Sequence, residues 1–201
     1  ISMAQWKTGT DTLAKIQGNY KADLSDASAS DAASVATNTK VETVSVKDSA
    51  FEISAKFNQL VANSKLSEIV LTGPVAPINI SHTQLVAGSS LLDKVQGGYT
   101  LAVTNADVSA SADLLANEHV ISAEMTGTAA AVTGSLSELS QFGTKLKSLT
   151  LTGANPSISL SFTDFQKYQN VLGLIDQNFK LELTEIKASD AIVQDSNGQF
   201  N

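Results

Sequence analysis

Apolar and polar residues alternate along the chain in short bursts, and the bursts recur. Apolar-x-apolar pairs stand at Ala22/Leu24, Val44/Val46, Ile69/Leu71, Leu101/Val103, Ala123/Met125, Leu149/Leu151 and Leu181/Leu183. Period-two alternation turns one face of a strand inward, so each pair predicts a short strand. The gaps between pairs follow a three-part cycle that closes after about 80 residues. "LSEIVLTGPVAPINISHTQ" and "LKSLTLTGANPSISLSFTDFQ" are two copies of its longest part. "LAKIQGNY", "LDKVQGGY" and "LGLIDQNF" close successive cycles at Tyr20, Tyr99 and Phe179.

Between the strands the period changes. Ala50, Ile53, Phe57 and Leu60 fall on one helical face, and Ala129, Val132, Leu136 and Leu139 repeat it. Asp48 or Ser49 is the expected N-cap of the first. The longest part adds a second alternating run, Ile78/Ile80 and Ile158/Leu160. A helix is then expected from N-caps at Thr83 and Thr163, with Gly97–Gly98 closing the first copy. "SDASASDAASVATNTK" predicts a weak helix packed through Ala27, Ala29, Ala33 and Ala36. Ala106, Val108, Ala112 and Leu115 stand in the same places of the second copy.

A strand followed by a return cannot bury its apolar edge alone, whereas stacked copies share a core. The pattern therefore predicts an α/β repeat solenoid, right-handed and β-helix-like. A parallel β-sheet would stack on one side, with short helices on the other. Leu146, Leu149 and Leu151 keep a leucine-rich-repeat-like horseshoe as the alternative. The expected organisation is one elongated segment over 1–201. Its super-repeats are 20–98 and 99–178, and its partial repeats 9–19 and 179–201. A chain that opens and closes inside a repeat is expected to be a piece of a larger protein.

Composition narrows the chemistry. Formal net charge is −7, and every basic residue is lysine. That argues against nucleic acid, where arginine forks and a basic face are expected, and against anionic membranes. No apolar run is long enough for membrane insertion as a helix. The absence of cysteine excludes disulfides, thiolate metal sites and cysteine nucleophiles.

The two histidines do not recur: His82 stands where the other copy has Phe162, and His119 where it has Lys40. No zinc-protease, nucleophile-elbow, phosphate-loop or EF-hand spacing occurs. Asp23, Glu124 and Glu182 point outward from strands several steps apart, too far for an acid–base pair. No catalytic, cofactor or metal residue is assigned, and the chain is not expected to be an enzyme. The clustered oxygens of "LSDASASD" and "QDSN" allow weak calcium binding. The one regular outward feature is a threonine column, Thr72, Thr104, Thr126, Thr152 and Thr184. It is a candidate recognition surface; its simpler role is to favour strand geometry.

Val46 to Ser49, Leu60, Ile69 to Thr72, Ile78 to Gln84 and Leu92 to Tyr99 carry a resemblance. Over nearly the whole chain the pattern resembles the strand-rich repeat segments of very large bacterial secreted and cell-surface proteins, adhesins and type I secreted proteins among them. The second copy departs from it at "EMTGTAAAV". The resemblance implies a non-catalytic structural or adhesive segment at the bacterial cell surface or outside the cell. Its partners would be neighbouring repeats of the same polypeptide, and a glycan or surface protein. The alternatives are a carbohydrate-binding or polysaccharide-degrading β-helix module and an intracellular interaction scaffold.

Overall fold

The computed structural model describes residues 1–187. Two helices, α1 (Met3–Thr8) and α2 (Thr10–Leu13), precede β1 (Ala22–Ala27). Strands and helices then alternate: α3 (Ala29–Ser34), β2 (Val41–Ser49), α4 (Ala50–Val61), β3 (Leu66–Thr72) and β4 (Ile78–Ser81). Next come α5 (His82–Ala87), α6 (Ser89–Leu92), β5 (Val95–Gln96) and β6 (Leu101–Asp107). A 3₁₀ turn (Val108–Ala110) leads to α7 (Ser111–Ala116), β7 (Val120–Thr128), α8 (Ala129–Gly134) and α9 (Leu136–Gln141). The described chain finishes with β8 (Leu146–Thr152), β9 (Ser157–Ser161), α10 (Phe162–Leu172) and β10 (Lys180–Thr184).

The chain divides into two units. One comprises Ile1–Thr104 with His119–Ile121; the other comprises Asn105–Glu118 and Ser122 onward.

The expected α/β repeat solenoid is overturned, and with it the horseshoe alternative and the β-helix description. The strands do not stack into one sheet. They form three small parallel sheets ordered β1-β2-β3-β5, β4-β6-β7-β8 and β10-β9, among ten α-helices in the described residues. The cause is visible at the longest part of each cycle. Its two alternating runs are separated by Gly73–Pro77 and by Gly153–Pro156, where Gly73 (φ 80°) and Gly153 (φ 101°) are left-handed. Proline cannot donate to a ladder, and a left-handed residue ends the pleat. The second run therefore starts a different sheet instead of extending the first.

Inside the sheets the alternation decides burial. Val44 pairs with Leu66 and Val46 with Ile69; Ile78 pairs with Leu101 and Met125 with Leu149. All of these are at most 3 % exposed. Of the seven apolar pairs, Ala22, Leu71, Leu181 and Leu183 are only half-buried. On α4 the expected face holds: Ala50, Ile53, Phe57 and Leu60 are buried. In the second copy Gly134–Ser135 divides that helix into α8 and α9, and Ala129 is half-buried.

The caps recur from cycle to cycle. Ser2 and Ser81 each form a capping box, with Gln5 and Gln84. Ser161 caps α10, Ser49 caps α4 and Thr128 caps α8. The caps expected at Thr83 and Thr163 thus lie two residues earlier, at the last residue of the preceding strand. The small-residue helices shift as well. Ala29 and Ala32 are buried on α3, while in the second copy Val108, Ala110, Ser111 and Leu114 are buried and Ala112 is exposed.

Two pairs of positions show how the copies exchange volume. A methyl added at the buried Gly88 would collide with the Phe57 ring. The corresponding positions in the other copy hold Leu136 and Tyr168, both buried, on helices that pack together. A Cβ at Gly127 would fall 2.6 Å from the Val108 side chain. There the first copy has Asp48 and Ala29, whose N–H donates to the Asp48 carboxylate at 2.9 Å. Each site is thus filled by a different combination of side chains in the two copies: phenylalanine and glycine or leucine and tyrosine at the first, alanine and aspartate or valine and glycine at the second.

Candidate functional site

An apolar recess with polar groups at its edge lies in the first unit, where β3 ends. Leu71 and Thr72 finish the strand, Gly73 turns the chain, and Pro74, Val75 and Ala76 form one wall. Gly98, Tyr99 and Thr100 form another, and Ala50 at the start of α4 completes a cleft of about 380 Å³. Val75 is fully exposed at its lip. Thr72, Tyr99 and Thr100 are its residues with polar side chains. Burial, with the Asp93 charge as the second cause, pushes the Tyr99 phenol above its ordinary value. It therefore remains a neutral hydrogen-bonding group across the physiological range.

The same recess recurs in the second copy, lined by Asn155, Pro156, Asn178, Phe179 and Lys180 and about 310 Å³ in volume. The position has thus been kept while its lining has become polar and charged. A recess of this kind can hold an apolar group against proline, valine and an aromatic ring. It presents neither a nucleophile beside a base nor a pair of carboxylates.

The tyrosines of the "GNY" and "GGY" turns share a second arrangement. Tyr99 stacks on His119, with ring centroids 3.9 Å apart and planes 8° from parallel; His119 Nδ1 lies 3.1 Å from the Tyr99 carbonyl. At the corresponding place Lys40 Nζ sits over the Tyr20 ring, 4.9 Å from its centroid. Lysine and histidine do the same mechanical job, covering a tyrosine face. The column was readable in the sequence, because Lys40 and His119 align. What was not readable was the tyrosine beneath each. His82 is a half-buried residue at the start of α5. It does not adjoin His119 in any interaction seen among the described residues.

The five column threonines are distributed over all three sheets. Thr72 lies opposite Ser49, Thr104 opposite Ser81, Thr126 opposite Thr150, Thr152 opposite Thr128 and Thr184 opposite Ser161. No two of the five face each other in these registers, but every one faces a hydroxyl. Four of the facing residues (Ser49, Ser81, Thr128 and Ser161) are helix N-caps. Thr72, Thr104 and Thr126 are half-buried, whereas Thr152 and Thr184 are exposed. The Thr184 hydroxyl donates to the Leu160 carbonyl at 3.2 Å.

The outward carboxylates separate in the same way. Asp23 is in the first sheet, Glu124 in the second and Glu182 in the third.

The chain matches no family model, no curated protein and no solved structure.

The oxygens of "LSDASASD" are engaged locally. Asp26 accepts from the Ser25 hydroxyl at 3.0 Å, and Asp23, just before the stretch, accepts from the Thr43 hydroxyl at 2.6 Å. Burial alone would raise the Asp31 carboxyl. The Lys7 ammonium at 2.6 Å, together with the hydroxyl and N–H of Ser28, outweighs it and holds the group below its ordinary value. Among the described residues no group of three or more histidine, aspartate or glutamate side chains is placed to hold a metal ion. The "QDSN" stretch lies outside the described residues. No described helix is long and apolar enough to cross a membrane.

Proposed function

We propose that the chain is a non-catalytic structural or adhesive repeat segment of a larger bacterial cell-surface or secreted protein. One observation carries this reading. Positions that agree between the copies are those that build the fold: the serine caps, the apolar strand pairs and the turn glycines. Positions with versatile chemistry are exchanged freely, His82 for Phe162 and His119 for Lys40. A site under functional demand keeps its reactive groups, whereas a stalk or spacer keeps its frame. The resemblance to surface-protein repeats supports the same reading, and with it a location outside the cell or at its surface.

The test is a paired screen. The chain is exposed to a glycan array and to bacterial surface proteins for binding, and to polysaccharides for turnover. The expected result is binding or inertness with no turnover, unchanged in a His82→Ala/His119→Ala variant that still folds. Turnover that disappears in that variant would refute the reading.

A further inference from the structure

We propose that the second unit holds a binding site for a primary ammonium group on an unbranched alkyl chain, the chemistry of a lysine side chain. The site is a recess of about 420 Å³ at the C-terminal ends of α9 and α10, closed by the start of β8. It does not rest on the structural or adhesive reading.

The first copy shows what belongs there. Leu146 is the first residue of β8, as Leu66 is the first of β3. Leu174 stands two residues beyond α10, as Lys94 stands two beyond α6. The backbone agrees: the Ile69 N–H donates to the Lys94 carbonyl and the Leu149 N–H to the Leu174 carbonyl, both at 2.9 Å. In the first copy the Lys94 side chain reaches across to β3, and its ammonium donates to the Leu66 carbonyl. Lys65 does the same one strand earlier, on the Asn38 carbonyl. In the second copy leucine stands in the place of Lys94. Leu146 and Leu174 line an open recess where, in the first copy, an ammonium and its stem lie.

The lining suits the missing group. Leu139, Leu146 and Val171 are at most 6 % exposed, and with the half-buried Leu174 they offer apolar walls to a methylene chain. Carbonyls outnumber N–H groups at helix C-termini, so the polar end of the recess favours a cationic donor over an anion.

Two lysines of the second copy already answer that preference from the rim. The Lys147 ammonium donates to the carbonyl of Thr144, a lining residue, at 2.8 Å. Lys167, also in the lining, holds its ammonium over the Tyr168 ring, 4.8 Å from the centroid. Both lysines are exposed, so their repulsion of a further cation is weak and screened. That repulsion gives the proposal a sign: taking away Lys167 should help the ligand.

The test titrates the full chain with Nα-acetyl-lysine methylamide and, separately, with n-pentylamine, followed by methyl and amide NMR shifts. Both should bind with dissociation constants on the order of millimolar. The largest shifts should fall at Leu139, Leu146, Val171 and Leu174. Tighter binding of the blocked lysine assigns the site to a side chain of another polypeptide, and tighter binding of pentylamine assigns it to a free amine. Leu174→Lys restores the first copy's residue and should weaken binding at least about tenfold, because the chain then fills its own recess. Lys167→Ala, which installs the residue of Ala87, should strengthen binding about twofold, and the gain should vanish in high salt. Intermolecular NOEs from pentylamine to Leu146 and Leu174 locate the ligand in the unaltered chain, whether or not Leu174→Lys folds. The proposal fails if neither amine shifts these residues at tens of millimolar. It fails if n-pentanol or the Nζ-acetylated lysine binds as tightly, since the recess would then accept the chain and ignore the charge. Tighter binding of hexanoate than of either amine would also overturn it, as would a folded Leu174→Lys protein that binds them unchanged.

Discussion

Leu149→Asp should destabilise the protein by at least about 4 kcal/mol in chemical denaturation, enough to unfold a marginal domain. Leu149 is fully buried in the middle of β8, opposite Met125, and its backbone is held on the other side by Leu174 and Asp176. A carboxylate there has no cation to meet and loses the dispersion contacts of a leucine. The neighbouring residue is the control. Thr150 points the other way, half-buried, and its hydroxyl donates to Asp176 at 2.8 Å. Thr150→Val removes one peripheral hydrogen bond and should cost about 1 kcal/mol or less. Equal losses for the two variants would mean that the inward and outward faces of β8 have been exchanged.

Phe57→Ala should cost about 3–5 kcal/mol. The ring is fully buried at the centre of α4 and fills the space above Gly88. The informative companion is Gly88→Tyr, which installs the second copy's residue on the crowded side. Alone it should be severely destabilising, because ring would meet ring. Combined with Phe57→Leu it should recover a substantial part of the loss, since Leu136 and Tyr168 already occupy those two positions in the other copy. Thermal melts of the three proteins decide it. If the double variant is no better than Gly88→Tyr alone, the correspondence between the two sites is wrong.

Much of the local structure was legible in the alternation. Val44, Val46, Leu101, Val103, Ala123, Met125, Leu149 and Leu151 were expected inside and are buried there. The helical face of α4 was legible for the same reason, because burial imposes a period on a sequence. Sheet membership was not, because a period says that a strand has an inner face but not which neighbour it pairs with. Pro74, Pro77 and Pro156 were the available warning, since proline beside a left-handed glycine interrupts a ladder. The caps were misplaced by two residues because Ser81 and Ser161 belong to the strand's own alternation and finish the strand as well as capping the helix.

The threonine column was legible as a pattern, but what each residue faces was not. A hydroxyl at the end of a strand and a hydroxyl at the start of a helix look alike in sequence, and in this fold they are register partners. The recess beside Tyr99 escaped notice because its walls are backbone turns brought together from distant segments. The tyrosine stacks escaped because a charged column aligned with itself, and not with the ring beneath it, is all that a sequence displays.

Equivalent positions in the two copies are alternative solutions of one packing problem. A double-mutant cycle at Val108 and Gly127 tests this most directly. Val108 is fully buried, and there is no room beside it for a Cβ on Gly127. Gly127→Asp alone should cost about 2–3 kcal/mol, and Val108→Ala alone about 1–2 kcal/mol. Together they recreate the Ala29–Asp48 arrangement of the first copy, in which the alanine N–H donates to the carboxylate. The double variant should therefore be more stable than Gly127→Asp alone, with a coupling of at least about 1 kcal/mol. Additive losses, with no coupling beyond about 0.3 kcal/mol, would contradict the account.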